Sequence, residues 1–320
     1  MQSCWCQTNR FFGYFTGRWR KRKEVIEYET NEPERTVTEQ PSSSIASAFT
    51  VCKSRPKLDE LVKGYDLFLL AQRSLFTMKH PELGMEEQFI RPKKKYLSKM
   101  EVDSIPLVLN LFNNHFGIPF KKLGKQQKVD LVINAFDDFS LFNKAYLTCK
   151  FFPNIEDDRI AHTQGYYTAT TQIDPEWFFE GYVVVDRIHE YIQIIEPIRM
   201  KMLRSVNKAR QLKARKIDFL AFMFLALWKH VEYANLLTDE MTTYKEELLK
   251  EWMDSLRDDY GEDSVKRFAQ LMIFYYESDD LALELVKSKM VLRVYLLRKG
   301  RRRLVRHSGA HEKTQFDRRR

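Results

Sequence analysis

Cysteine is scarce in this sequence: 320 residues carry four, at Cys4, Cys6, Cys52 and Cys149. So few, so unevenly spaced, cannot make the disulfide framework of a small secreted scaffold, and the chain reads as one kept in a reducing compartment. Cys4 and Cys6 stand one residue apart without further partners, a poor zinc clamp, and no metal site is expected. Long apolar runs are missing as well; none approaches the roughly 20 residues that span a bilayer. Residues 1–16 lack the basic-then-apolar order of a signal peptide, because the basic cluster follows them. A soluble intracellular chain without membrane association is expected. Enzyme signatures are equally absent: no phosphate-binding glycine loop, no Gly-x-Ser-x-Gly elbow, and no His-Glu-x-x-His pair among seven scattered histidines. Asp137-Asp138 and Asp157-Asp158 are adjacent pairs that do not share a helix face, so they read as solvated acids or caps. His189 and His230 read as satisfied core or surface histidines, and Cys149 as a small buried hydrophobe. No catalytic residue, and no enzyme, is expected.

What is present is charge in blocks. The net charge is +9, and residues 298–320 hold ten bases against two acids, eight of those nine charges. Arg298, Lys299, Arg301, Arg302 and Arg303 open this basic tail. The rest of the chain is near neutral and need not present a nucleic-acid surface. A second basic block, from Arg18 to Lys23, is followed by six glutamates between Glu24 and Glu39 and then by Pro41-Ser42-Ser43-Ser44. Residues 1–55 therefore read as a mobile leader, 56–299 as one folded domain and 300–320 as a basic tail. Both basic runs suit phosphate contacts or nuclear import, or simply solvated termini.

Between the charged ends the pattern is helical. Leu58, Leu61, Val62, Tyr65, Phe68, Leu69, Gln72, Leu75 and Phe76 form one stripe that ends near His80-Pro81. Residues 81–100 are polar and read as a loop. A second helix is expected from near Val102 until Gly117-Ile118-Pro119 interrupts it. Residues 126–149 are apolar on most faces and should run through an interior. Residues 153–173, β-branched and aromatic, suggest a short hairpin. Asp174-Pro175 should open a helix carrying Trp177, Phe178, Tyr182 and Val185, followed by another with Ile198, Met202, Leu203 and Val206. Phe219 to Trp228 is the most hydrophobic segment, too short for a membrane span and expected as the central buried helix. Thr238 should cap the next helix, and a last long one covers about 263–298. The ordered region is thus all-α with one β-hairpin. With 23 Phe, 15 Tyr and 11 Met it could enclose an apolar cavity or simply a filled core, which composition cannot separate.

A resemblance sharpens this reading. Phe120-Lys-Lys-Leu123-Gly-Lys-Gln-Gln127-Lys128-Val-Asp-Leu131-Val132 resembles the signature of nuclear hormone receptor ligand-binding domains, where that family's third helix gives way to the fourth and fifth. Leu61 to Phe76 with His80-Pro81-Glu82, and Asn143 to Pro153, resemble the nematode-expanded branch. Asp218 to Leu227 is similar to the family's eighth helix, and Arg267-Phe268-Ala269-Gln-Leu271 to the start of its tenth. Across residues 56–298 the resemblance implies a three-layer antiparallel sandwich of about 10–12 helices with an apolar ligand cavity. It also implies dimerisation through the long tenth helix.

On that resemblance Phe120, Leu123, Gln127, Lys128 and Leu131 are fold markers. Phe112, Phe116, Phe136, Phe139, Tyr146 and Phe222 are candidate cavity walls, and Phe268, Leu271, Met272 and Tyr275 the dimer face. The implied protein regulates transcription in the nucleus, with the cytoplasm as a second location. It takes no cofactor, but an apolar small molecule or lipid, a receptor-type homo- or heterodimer partner and co-regulators are implied. Three departures accompany it. Four cysteines cannot build the family's eight-cysteine zinc module, so sequence-specific DNA reading is not expected of these residues. Phe116 falls where the family has its coactivator-clamp lysine; Lys121, Lys122 and Lys128 are candidate substitutes, but loss of the usual clamp is expected. Residues 296–320 show no acidic activation helix. The alternative function is a constitutive, ligand-free helical interaction or co-regulator protein.

Overall fold

Pro56 sits in the first turn of α1 (Pro56–Lys79), where its missing N–H costs nothing, with Asp59 in the same turn and Lys79 in the last. The computed structural model describes residues 54–83, 88–169 and 188–316. The inner face of α1 buries Leu58, Leu61, Tyr65, Phe68, Leu69, Gln72 and Phe76, and the helix stops at His80, as the stripe predicts. Gly64 lies where α1 crosses the end of α2: a Cβ there would come within 2.3 Å of the His115 ring.

α2 spans Lys94–His115 and starts eight residues before the expected point, so the second half of the 81–100 loop is helical. Leu97 and Met100, both buried, anchor this added turn; they join Phe76 and Tyr166 in a small cluster under the hairpin. The lysine run at 93–95 masked that signal. Pro106 lies inside α2 on its exposed side, where the lost backbone bond can be met by solvent. Gly117, at φ 89°, ends α2; a Cβ there would strike the Tyr244 ring at 2.5 Å, so both conformation and space require glycine. The short α3 (Ile118–Lys122) leads into α4 (Lys125–Phe151), whose start is capped by Gln127 Oε1 accepting from Gly124 N at 2.8 Å.

β1 (Arg159–Thr163) and β2 (Tyr166–Ala169) make the expected antiparallel hairpin, with an irregular register between Ala161 and Thr163. Ile90 adds an isolated parallel bridge to Tyr166. α5 (Ile188–Leu212), α6 (Lys216–Tyr233), α7 (Asp239–Tyr260) and α8 (Ser264–Phe316) complete the order. The helix expected to open at Asp174-Pro175 lies outside the described residues. α8 continues past the expected end at 298, so the residues from Arg298 to Arg303 lie on helical backbone.

The helices stack in three layers. α1 and α2 pack together on one side, α5 and α8 on the other, with α4, α6 and α7 between them. In α6 the run Phe219 to Phe224, then Ala226, Leu227 and Trp228, is buried all round, the mark of a helix with no solvent face. Each phenylalanine, leucine or methionine among them contributes roughly 1.5–3 kcal/mol relative to exposure. The fold is the all-α sandwich with one hairpin that the sequence led us to expect.

Asp218 ties the middle layer. Fully buried in the first turn of α6, it accepts from Arg215 N (2.9 Å), the Arg215 guanidinium (2.9 Å) and Trp252 Nε1 of α7 (2.9 Å). It stands directly before the apolar run, in the helix that the resemblance starts at this residue. Asp218→Ala leaves the indole and guanidinium without their shared acceptor and should lower unfolding free energy by about 3 kcal/mol, read from urea titration.

Candidate functional site

The interior is built largely of rings. Phe112 of α2 packs against Phe116 (4.4 Å between centroids), Phe120 (6.0 Å) and Phe139 of α4 (5.6 Å). Phe222 of α6 packs against Phe142, Trp252 and Phe274, at 5.5–5.8 Å. Tyr146 stands between Tyr65 and Phe219. Of the six expected cavity walls, Phe136 and Phe139 reach an interior void. Phe112, Phe116 and Phe222 are buried against other rings on several sides and act as core, because helical periodicity marks burial without saying what fills the space facing a side chain.

That void is a polar chamber. Phe68 and Gln72 of α1, Glu101, Ser104 and Val108 of α2, Phe136, Phe139, Ser140 and Asn143 of α4, and His162 and Thr163 of β1 surround about 10 Å³, room for about one water. Its walls are braced by hydrogen bonds. Gln72 donates to Ser104 Oγ (3.0 Å) and accepts from Gln164 N (2.9 Å), while Tyr65 donates to Asn143 Oδ1 (2.8 Å). Burial, then the nearby Tyr146 and Asp66, push the Tyr65 hydroxyl well above its usual range, so it stays a donor. Burial opposes ionisation of Glu101, but the Lys144 ammonium at 2.9 Å overcomes it and, with His162 and Lys94, brings Glu101 down to about 2. Burial first, then Lys144 and Lys94 against the pull of Glu101, hold His162 down to about 3, so its ring is neutral. Gln72 stood out as the one polar member of the α1 stripe; nothing in the sequence marked Glu101, His162 or Thr163.

A second polar knot joins α4, α6 and α8. Asp138 accepts from His230 Nε2 (2.7 Å) and pairs with Lys229 (3.0 Å), which also pairs with Asp279. Burial raises the Asp138 pKa, but His230 and Lys229 outweigh it and keep the carboxylate below its ordinary range. Asp138 is therefore a buried, paired acid rather than the solvated one expected, while His230 is satisfied as expected. Cys149 is half-buried, and burial pushes its thiol up to about 11, an inert group. Among the described residues no His/Cys/Asp/Glu cluster could hold a metal.

On the surface, an open groove of about 450 Å³ runs between α2 and α4, lined by Pro106, Leu109, Asn110 and Asn113 on one side and Lys125, Lys128 and Val129 on the other. Lys128 reaches back to Asn113 Oδ1 (2.8 Å) and to the Lys121 carbonyl (2.8 Å), fixing α3 against the groove wall.

Residues 93–275, more than half of the chain, match the family model described as the ligand-binding domain of nuclear hormone receptor. The chain belongs to that family. The match is to the family at large and does not resolve the nematode branch. A search of curated proteins gives no match. These are binding domains rather than enzymes as a family.

Phe120 and Leu131 are buried and Leu123 half-buried, while the exposed Gln127 serves as the α4 cap and Lys128 as the α3 brace. Phe116, expected where the family has its clamp lysine, is buried with its ring 5.9 Å from Phe224. Lys122 is paired with Glu240 at 2.6 Å. The dimer face requires correction. Leu271 and Tyr275 point into the core, and Phe268 and Met272 are half-buried against it. The outward face of α8 instead carries Val265, Ala269, Ile273, Tyr276 and Leu283. The expected set followed the strongest apolar stripe, and on a helix packed to a core that stripe faces inward.

The chamber makes stability depend on pH. In the unfolded chain a histidine titrates near about 6.5, whereas folded His162 does so at about 3. Between these values the unfolded state binds the extra proton, so stability falls as the pH drops below about 6.5. Glu101 adds to the loss between its unfolded value, about 4.3, and its folded value of about 2. The urea midpoint should decline from pH 7 to pH 5, and His162→Gln should flatten that decline.

Proposed function

We propose that this receptor-type ligand-binding domain acts in transcriptional control in the nucleus, docking co-regulators in the α2–α4 groove and a second receptor-type domain along the outer face of α8. The observation that carries the reading is the family match over 93–275, which spans α2 through most of the first three turns of α8. Apolar groove residues Leu109 and Val129 would take the hydrophobic side of a partner helix. An apolar small molecule would act by its differential affinity for the partner-competent state. The protein carries out no catalysis.

One observation favours a second reading, a constitutive co-regulator that needs no ligand. Phe112, Phe116 and Phe222 fill the interior ring against ring, so the body is already packed at these positions without a guest.

Fused to a heterologous DNA-binding domain, the full chain should change the output of a matching reporter, and the Leu109→Asp, Val129→Asp pair should abolish the change at unaltered protein level. No change with the wild-type chain would defeat the proposal. Addition of apolar extracts separates the two readings: the ligand-regulated form responds, the constitutive one does not. In sedimentation, Ile273→Asp with Tyr276→Asp should weaken association with a receptor-type partner by more than about tenfold, roughly 1.4 kcal/mol. Leu271→Asp should instead unfold the chain, since it buries an unpaired charge.

A further inference from the structure

Two residues that line the chamber between α1, α2, α4 and β1 each carry a buried polar atom without a protein partner. His162 Nδ1 and Thr163 Oγ1 are both buried and have no hydrogen-bond partner. Thr163 is 3 % exposed, so solvent does not reach it. Successive residues of a strand ordinarily point to opposite faces. Here the register slips between Ala161 and Thr163, where Ala161 pairs with Tyr167 and Thr163 with Tyr166. Such a bulge re-aims one side chain, which is how two neighbouring residues come to line one space.

We propose that this chamber is a binding site for a single structural water molecule, held by His162 Nδ1 and Thr163 Oγ1. The size fits: about 10 Å³ is available to a water centre, and one water needs about 10–15 Å³ by that measure. The chemistry fits as well. Interior voids that stay dry are lined by aliphatic and aromatic groups alone, whereas Glu101, Ser104 and Asn143 add polar walls to this one. The His162 ring is engaged at its other nitrogen, Nε2, 2.8 Å from Thr168 Oγ1. With the hydrogen on Nε2, Nδ1 accepts from the water, and the Thr163 hydroxyl donates to it. A cation is disfavoured, because Glu101, the chamber's carboxylate, is already paired with Lys144 at 2.9 Å. The water would bridge two neighbouring side chains of β1 at the register slip, where neither atom has a protein partner. This inference is independent of any ligand or partner assigned above.

A crystal structure of the full chain at high resolution should show one peak within hydrogen-bond distance of both atoms; an empty or side-chain-filled chamber overturns the proposal. The sign of a stability change gives a second reading. If the hydroxyl is bound to water, Thr163→Val lowers the thermal midpoint, by about 2–4 °C for a domain of this size. If the hydroxyl is an unsatisfied group in a dry void, its removal leaves the midpoint unchanged or raises it, and the proposal fails. Should the variant not fold, the density in the wild-type chain still decides.

Discussion

The middle layer depends on one buried carboxylate. Asp218 takes the α6 backbone, the Arg215 side chain and the Trp252 indole as simultaneous donors, and through them fixes where α6 enters the core and how α7 lies against it. An ionised side chain at zero exposure persists only when its lone pairs are taken up by well-placed donors. With that end fixed, the run from Phe219 to Trp228 can be apolar on every face, because α6 is surrounded by α1, α4, α7 and α8. The rings around it then find partners on all sides.

The polar groups of the interior share a logic. Glu101 with Lys144 and Tyr65 with Asn143 each bridge two layers, while Asp138 with Lys229 and His230 ties α4 to α6 within the middle layer and Lys229 with Asp279 carries that knot to α8. They fix the relative position of helices whose apolar contacts are non-directional. Burial raises the cost of charge in each group: at Glu101 and Asp138 the paired cations outweigh it and the carboxylates stay low, whereas at His162 burial prevails and the ring stays neutral.

Most of the architecture was legible because it rests on period. The α1 stripe, the Gly117-Ile118-Pro119 break, the Thr238 cap and the all-round apolar α6 appear where spacing placed them. The start of α2 was hidden because Lys93, Lys94 and Lys95 precede the anchors Leu97 and Met100, so local polarity outweighed two spaced apolar residues. The candidate site was far less legible. A stripe tells which residues are buried and not whether they meet rings, a void or a second molecule. Phe112 and Phe139 carry the same sequence signal, yet Phe139 borders the chamber while Phe112 is closed in by rings. The chamber itself arises from a register slip in a hairpin, which leaves no trace in composition.

Gly64 sets a mechanical limit. The ring of His115 sits where any larger residue on α1 would need to be, so these two helices touch nearly backbone to side chain and cannot slide past one another without collision. Any relative shift of the two would first have to displace that ring, so the crossing holds α1 and α2 in one register.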